Sequence, residues 1–160
     1  MEKSSCSFCT KIKTAATCEQ CNCIVCKKCS YFTDEMSFEY LSFLPEELQN
    51  KIFCPDCYNN GIDEKMELAQ EHLEKARNVD VYLMNQTKET RLMDKRADPL
   101  FVTDCDSLED ALMHLAFLAA QLDYNTLINV DLKSRKEKIS GNHKRLIWNG
   151  TGIPLKRQKR

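Results

Sequence analysis

Four Cys-x2-Cys pairs lie within the first sixty residues: Cys6/Cys9, Cys18/Cys21, Cys26/Cys29 and Cys54/Cys57. Each such pair can form a knuckle, a tight turn presenting two thiolates to one tetrahedral ion. One pair is a weak signal, and four in so short a stretch point to a fold organised by metal. Eight thiolates fill two closed four-cysteine sites and leave no open position for water, so the sites are structural rather than catalytic. The residue after a knuckle takes a left-handed or turn conformation, which suits Asn22. The intervening segments are too polar to bury that many thiols as small hydrophobes. The N-terminal run MEKSSCSFC has no apolar core of a secretory signal, so a reducing, cytoplasmic setting is expected, in which clustered thiols bind metal instead of pairing as disulfides.

The order of the pairs says how the ions are shared. Cys18-x2-Cys21-x4-Cys26-x2-Cys29 is too tight for each half to close around its own ion. Interleaving removes the difficulty. Cys6, Cys9, Cys26 and Cys29 then hold a first zinc, and Cys18, Cys21, Cys54 and Cys57 a second. Metal binding in such a cross-braced chain supplies most of the folding free energy, roughly 10–16 kcal/mol per structural zinc in small peptides. A second register skips Cys18 and uses Cys23. The first register is preferred because it uses all four knuckles, and replacing Cys18 or Cys23 separately distinguishes the two.

The string CEQCNCIVCKKCS at 18–30 resembles the centre of a FYVE-type finger. Ile24-Val25 before Cys26, Ser30 after Cys29, Leu44-Pro45 and the closing Lys51-Ile52-Phe53-Cys54-Pro55-Asp56-Cys57-Tyr58 fit the same pattern. The resemblance implies a treble-clef fold over residues 6 to about 60, with small hairpins and a short helix after the last pair. Lipid-binding members of that family carry a basic, histidine-containing run that grips phosphatidylinositol 3-phosphate. The matching stretch here, Lys13 to Glu19, has no histidine and puts an acid where the family has arginine, so the resemblance implies the fold without the lipid site. The Cys23 register instead resembles an all-cysteine RING finger ending in Cys54-Pro55-Asp56-Cys57, which implies a ubiquitin-ligase component.

Net charge is −1 over 160 residues, but it is unevenly spread. Residues 1–64 carry six Lys/Arg against ten Asp/Glu (−4), residues 65–132 seven against thirteen (−6), and residues 133–160 ten against one (+9). Two zinc ions on eight thiolates take the first segment to about −8. No apolar stretch approaches a membrane span.

Ile62, Met66, Ala69, Leu73 and Ala76 recur at helical spacing and predict an amphipathic linker helix within 61–78. Residues 79–157 read as a small α+β domain. Val79, Val81 and Leu83 alternate as in a strand, and Leu100-Phe101-Val102 is a second short one. Ser107-Leu108-Glu109-Asp110 resembles a capping box opening a helix to about residue 123. Ile128, Val130 and Leu132 form the next strand, Ser140-Gly141-Asn142 turns, and Leu146 and Trp148 return. One helix on a small antiparallel sheet is the expected arrangement. The segment Ala119 to Ile128, with Trp148 and Gly150-Thr151-Gly152, faintly resembles small YbjQ and RcsF-like α/β domains, which implies fold and the capacity to self-associate. A basic tail, 158–160, ends the chain.

Signals of catalysis are few. His72, His114 and His143 have no metal-ligand spacing partner, and no phosphate-cradling glycine loop, nucleophile elbow or paired-carboxylate motif occurs. Cys105 sits among Asp104, Asp106, Glu109 and Asp110, which disfavour its thiolate. The expectation is a non-catalytic, zinc-binding adaptor with a protein partner. Phosphoinositide-membrane binding is disfavoured, and nucleic acid is not expected because no aromatic residues interleave the basic segment.

Overall fold

A computed structural model describes residues 3–34, 41–93, 95–140 and 143–158, and the chain falls into two compact units, Met1–Gln70 and Glu71–Arg160. No helix among the described residues is long and apolar enough to cross a membrane. The architecture is mixed α and β.

The first unit is made of short elements joined by knuckles. Strands β1 (Lys3–Ser5), β2 (Ile12–Thr17) and β3 (Ile24–Cys26) form an antiparallel sheet in that order. Strands β4 (Tyr31–Thr33) and β5 (Lys51–Phe53) form a second pair, with Tyr31 opposite Phe53. A single helical turn, α1 (Pro55–Cys57), starts at Cys54, whose sulfur caps it by accepting the Cys57 N–H; Pro55 at its first position has no N–H to leave unpaired. The chain then passes a kink at Gly61, with φ at 111°, a conformation that glycine adopts without steric cost. Helix α2 (Asp63–Ala76) follows, inside the expected helical range 61–78 by two residues at either end, and the boundary between the units falls within it. The core of this unit combines Cys6, Cys18, Cys26 and Cys54 with Val25, Leu44, Leu48, Phe53 and Ile62. It is too small to hold a fold by apolar burial alone. Rings of Tyr31 and Tyr58 stack with centroids 4.1 Å apart and planes 8° from parallel.

The second unit is a four-stranded sheet in the order β6-β8-β9-β7, with β6 Asp80–Leu83, β7 Leu100–Cys105, β8 Thr126–Ser140 and β9 His143–Leu155. A short helical turn, α3 (Thr87–Thr90), follows β6, and helix α4 (Leu108–Gln121) lies on the sheet across β7, β8 and β9. Ser107 opens α4 as its sequence predicts, accepting the Asp110 N–H at 2.9 Å. Asp123 ends the helical path at φ 60°. Ala111, Leu115, Ala119 and Ala120 of α4 are buried with Leu127, Ile128 and Val130 of β8. At Gly150 a Cβ would stand 2.8 Å from Leu132 Cδ2 and 2.9 Å from Leu115 Cδ1, so this glycine lets the helix side chains approach the strand.

The sheet differs from the expected antiparallel form in one pair. β6 runs parallel to β8, with Asp80 opposite Thr126 and Val81 opposite Leu127. Parallel neighbours need a crossover, and the segment carrying α3, β7 and α4 supplies it. Strand alternation cannot reveal this, because both pairings share a two-residue period.

β8 and β9 outrun their neighbours. β6 pairs no further than Val130 on β8, and β7 no further than Trp148 on β9, while β8 and β9 stay paired to Ser140 and His143. The projecting ribbon sorts its cations by face. Lys133, Arg135 and Arg145 meet Asp131, Asp104, Glu137 and Asp106. On the other face Lys136 is opposite Leu146 and Lys138 opposite Lys144, and among the described residues these lysines meet no carboxylate. The expected turn residues Gly141 and Asn142, and Lys159 and Arg160 of the tail, lie outside the described residues. Nearer the core the tail is tied down, Lys156 to Asp123 and Arg157 to the Tyr82 hydroxyl.

Candidate metal centre

All four knuckles share one backbone hydrogen bond. The residue after the second cysteine donates its N–H to the carbonyl of the first: Thr10 to Cys6 and Asn22 to Cys18 at 2.9 Å, Ser30 to Cys26 at 3.0 Å, and Tyr58 to Cys54 at 2.9 Å. Thr10 and Asn22 take left-handed φ values of 57° and 59°. Asn22 tolerates this region better than most residues.

The sulfurs gather in two groups: Cys6, Cys9, Cys26 and Cys29, and Cys18, Cys21, Cys23 and Cys54, each with all four atoms within 4.8 Å of one another. The first group is the set expected for the first ion. In the second, Cys23 stands among the mutually close four. Cys57 adjoins them: its N–H reaches Cys54 Sγ at 3.4 Å, and its thiol interacts with those of Cys54, Cys21 and Cys18. The β2–β3 hairpin explains Cys23. Its register pairs Thr17 with Ile24, and the next step sets Cys18 against Cys23, with the Cys18 N–H donating to the Cys23 carbonyl at 2.9 Å. Cross-strand neighbours share a face, so both thiols point the same way.

The two groups are wired alike. In the first, the Cys26 N–H donates to Cys6 Sγ at 3.4 Å and the sulfurs of Cys9 and Cys26 are 3.7 Å apart. In the second, the Cys54 N–H donates to Cys18 Sγ at 3.4 Å and the sulfurs of Cys21 and Cys54 are 3.7 Å apart. A tetrahedral ion with Zn–S bonds of about 2.3 Å requires sulfurs separated by about 3.8 Å. The spacing, the all-thiol donor set and the N–H groups directed at sulfur therefore fit a zinc ion in each group.

In each group backbone N–H donors lower some thiols, while burial and neighbouring thiols raise others. N–H groups of Cys9 and Cys26 lower the Cys6 thiol to about 6. At Cys18 burial pushes upward, but N–H groups of Cys21, Cys54 and Gln20 outweigh it and hold the thiol at about 6. Cys26 is lowered against burial by N–H groups of Lys28 and Cys29, and Cys21 is lowered chiefly by the Cys23 N–H. In the opposite direction, the Cys26 thiol and then burial push Cys29 up to about 12. Burial, then Cys21 and Cys54, push Cys23 up to about 12. Cys57 is raised by burial and then by Cys54.

The remaining candidates fall apart in space. Cys105 is buried, and burial followed by Asp110, Asp104 and Asp106 raises its thiol. His114 lies 3.4 Å from Asp110, and His72 meets the Phe117 ring edge-on at a centroid distance of 6.1 Å. Glu19 pairs with Lys51 at 3.7 Å. The Tyr31–Tyr58 stack is a feature that sequence reasoning missed; its signal was an aromatic directly after Cys57 and another two positions after Cys29.

No protein-family model, curated protein or solved structure matches the chain.

Proposed function

We propose that this protein is a non-catalytic interaction module whose first unit is a FYVE-like, cross-braced finger holding two zinc ions. The observation that carries the reading is the duplicated wiring of the two cysteine groups. The same N–H to sulfur bond and the same 3.7 Å sulfur contact recur between pairs one and three and between pairs two and four. A treble clef with interleaved knuckles produces this repetition. On that reading Cys6, Cys9, Cys26 and Cys29 hold one ion, and Cys18, Cys21 and Cys54, with Cys57, hold the other. Zinc ions there would fix the chain path and do no chemistry, since four thiolates leave no position for a substrate.

The RING-like reading shares the first site and differs at the second, where it omits Cys18. The buried Cys18 sulfur and its N–H donors weigh against that omission. Phosphoinositide binding is disfavoured as well. An open depression of about 360 Å³ in this unit is lined by Glu19, Glu47, Lys51 and Lys65 among others. Its charges are matched in pairs, Lys51 with Glu19 and Lys65 with Glu47, which leaves little net attraction for an anionic headgroup. The interaction half of the proposal draws on the ribbon. Lys136, Lys138 and Lys144 share one face with the half-exposed Leu146, a combination suited to a protein segment that mixes acidic and apolar side chains.

Native mass spectrometry with elemental analysis tests the reading: two zinc ions per chain are expected, and a metal-free chain purified under reducing conditions would overturn it. Liposome flotation with and without phosphatidylinositol 3-phosphate tests the lipid alternative, and a ubiquitination assay over a panel of conjugating enzymes tests the RING alternative. No response in either is expected.

A further inference from the structure

Cys57 adjoins the four sulfurs of the second group, which brings one thiol more than a tetrahedral ion takes. We infer that Cys18, Cys21 and Cys54 are fixed ligands of the second zinc, and that Cys23 and Cys57 alternate as the fourth, making this ion the exchangeable one. The inference rests on the two-zinc reading above.

The geometry for exchange is local and specific to this site. Cys18, Cys21, Cys23 and Cys54 bring their sulfurs within 4.8 Å of one another without Cys57. Cys57 approaches the same cluster from the helical turn that Cys54 caps, with its N–H 3.4 Å from Cys54 Sγ and its thiol against Cys54, Cys21 and Cys18. Cys23 comes from the β2–β3 hairpin, whose register sets it opposite Cys18. The two candidate fourth ligands are therefore held by different elements. Both are half-buried, so both can be reached from solvent when not bound. Among the described residues, the first group within the same mutual distance is Cys6, Cys9, Cys26 and Cys29 alone.

The exchange step conserves charge and coordination number. The bond from zinc to Cys57 Sγ breaks as one to Cys23 Sγ forms, and the proton leaving the Cys23 thiol passes to the released Cys57 thiolate. No oxidant or reductant takes part. With a fifth thiol adjoining the four that would hold it, the ion could change partners associatively. The second zinc should therefore pass to a competing thiol or chelator sooner than the first.

Limited alkylation of the full chain, first shown to carry two zinc ions, tests the inference without any substitution. Iodoacetamide should add to one thiol per chain, divided between Cys23 and Cys57 and never on both, with Cys105 shielded by burial. An adduct confined to Cys23 or to Cys57 alone would overturn the exchange while leaving the two-zinc reading intact. Substitution supplies an independent measurement. Cys23→Ser and Cys57→Ser should each retain two zinc ions, and the double variant one. Loss of an ion from either single variant, with the first site still filled, would also sink the exchange. Release to the chromophoric chelator 4-(2-pyridylazo)resorcinol should be biphasic. Cys23→Ser should slow the faster phase, and an unchanged fast phase would count against the exchange.

Discussion

The backbone N–H of Cys54 donates to the sulfur of Cys18 at 3.4 Å, linking residues 36 positions apart. Its counterpart, Cys26 to Cys6, spans 20 positions at the same 3.4 Å. Each bond joins the first cysteine of one knuckle to the first cysteine of the knuckle two further along, so each ion would close a loop that contains part of the other's.

Removing one of these sulfurs should empty one site and spare the other. Cys26→Ser is expected to lower the zinc count from two to one, because serine supplies no thiolate and its group is Cys6, Cys9, Cys26 and Cys29 alone among the described residues. Native mass spectrometry reads the count directly. A full complement in Cys18→Ser would favour the register that uses Cys23 in its place.

Loading should weaken with acidification, and the sign follows from the thiols. Cys29 and Cys23 lie near 12, so at neutral pH any of these bound to metal must first give up a proton. Cys6 and Cys18, near 6, add to the protons to be displaced only as pH falls through that value. Apparent affinity should therefore rise with pH throughout and fall most steeply below about pH 6. Competition titrations from about pH 8 to about pH 5 measure the slope, and a flat profile would contradict an all-thiol site.

Chelation should unfold one unit and leave the other. The first unit's small core is built around four buried cysteines, and metal contributes roughly 10–16 kcal/mol per structural zinc in comparable peptides. The second unit, Glu71–Arg160, has its own core between α4 and the sheet. After chelation under reducing conditions, hydrogen exchange should lose protection in β2, β3 and β5 and keep it in α4, β8 and β9. Loss of protection in α4 as well would show that the second unit depends on the first.

Gly150 should resist enlargement. A Cβ there meets Leu132 Cδ2 at 2.8 Å and Leu115 Cδ1 at 2.9 Å, and overpacking of this kind costs about 1–3 kcal/mol. Gly150→Ala is expected to lower the Tm of the second unit, by roughly 4–8 °C per kcal/mol for a domain of this size. Leu115→Ala, which empties a fully buried site, should cost about 2–5 kcal/mol. The double variant should cost less than the two together, because the new methyl occupies space that Leu115 vacates. Strict additivity in thermal melts would show that the contact is not made.

Local signals in the chain determined much of this architecture. Knuckles are closed by bonds between neighbours in sequence, so their spacing alone located all four. The caps and periodicity that made α2 and α4 legible are equally local, as at Ser107 with Asp110. Tertiary structure decided what depends on distant partners. Strand alternation reads the same for parallel and antiparallel neighbours, and only the crossover through β7 and α4 sets β6 parallel to β8. Cys18 and Cys23 entered as alternatives because a linear register must choose one. The β2–β3 hairpin places both at a single cluster, since residues facing each other across a hairpin share a face whichever of them the spacing favours.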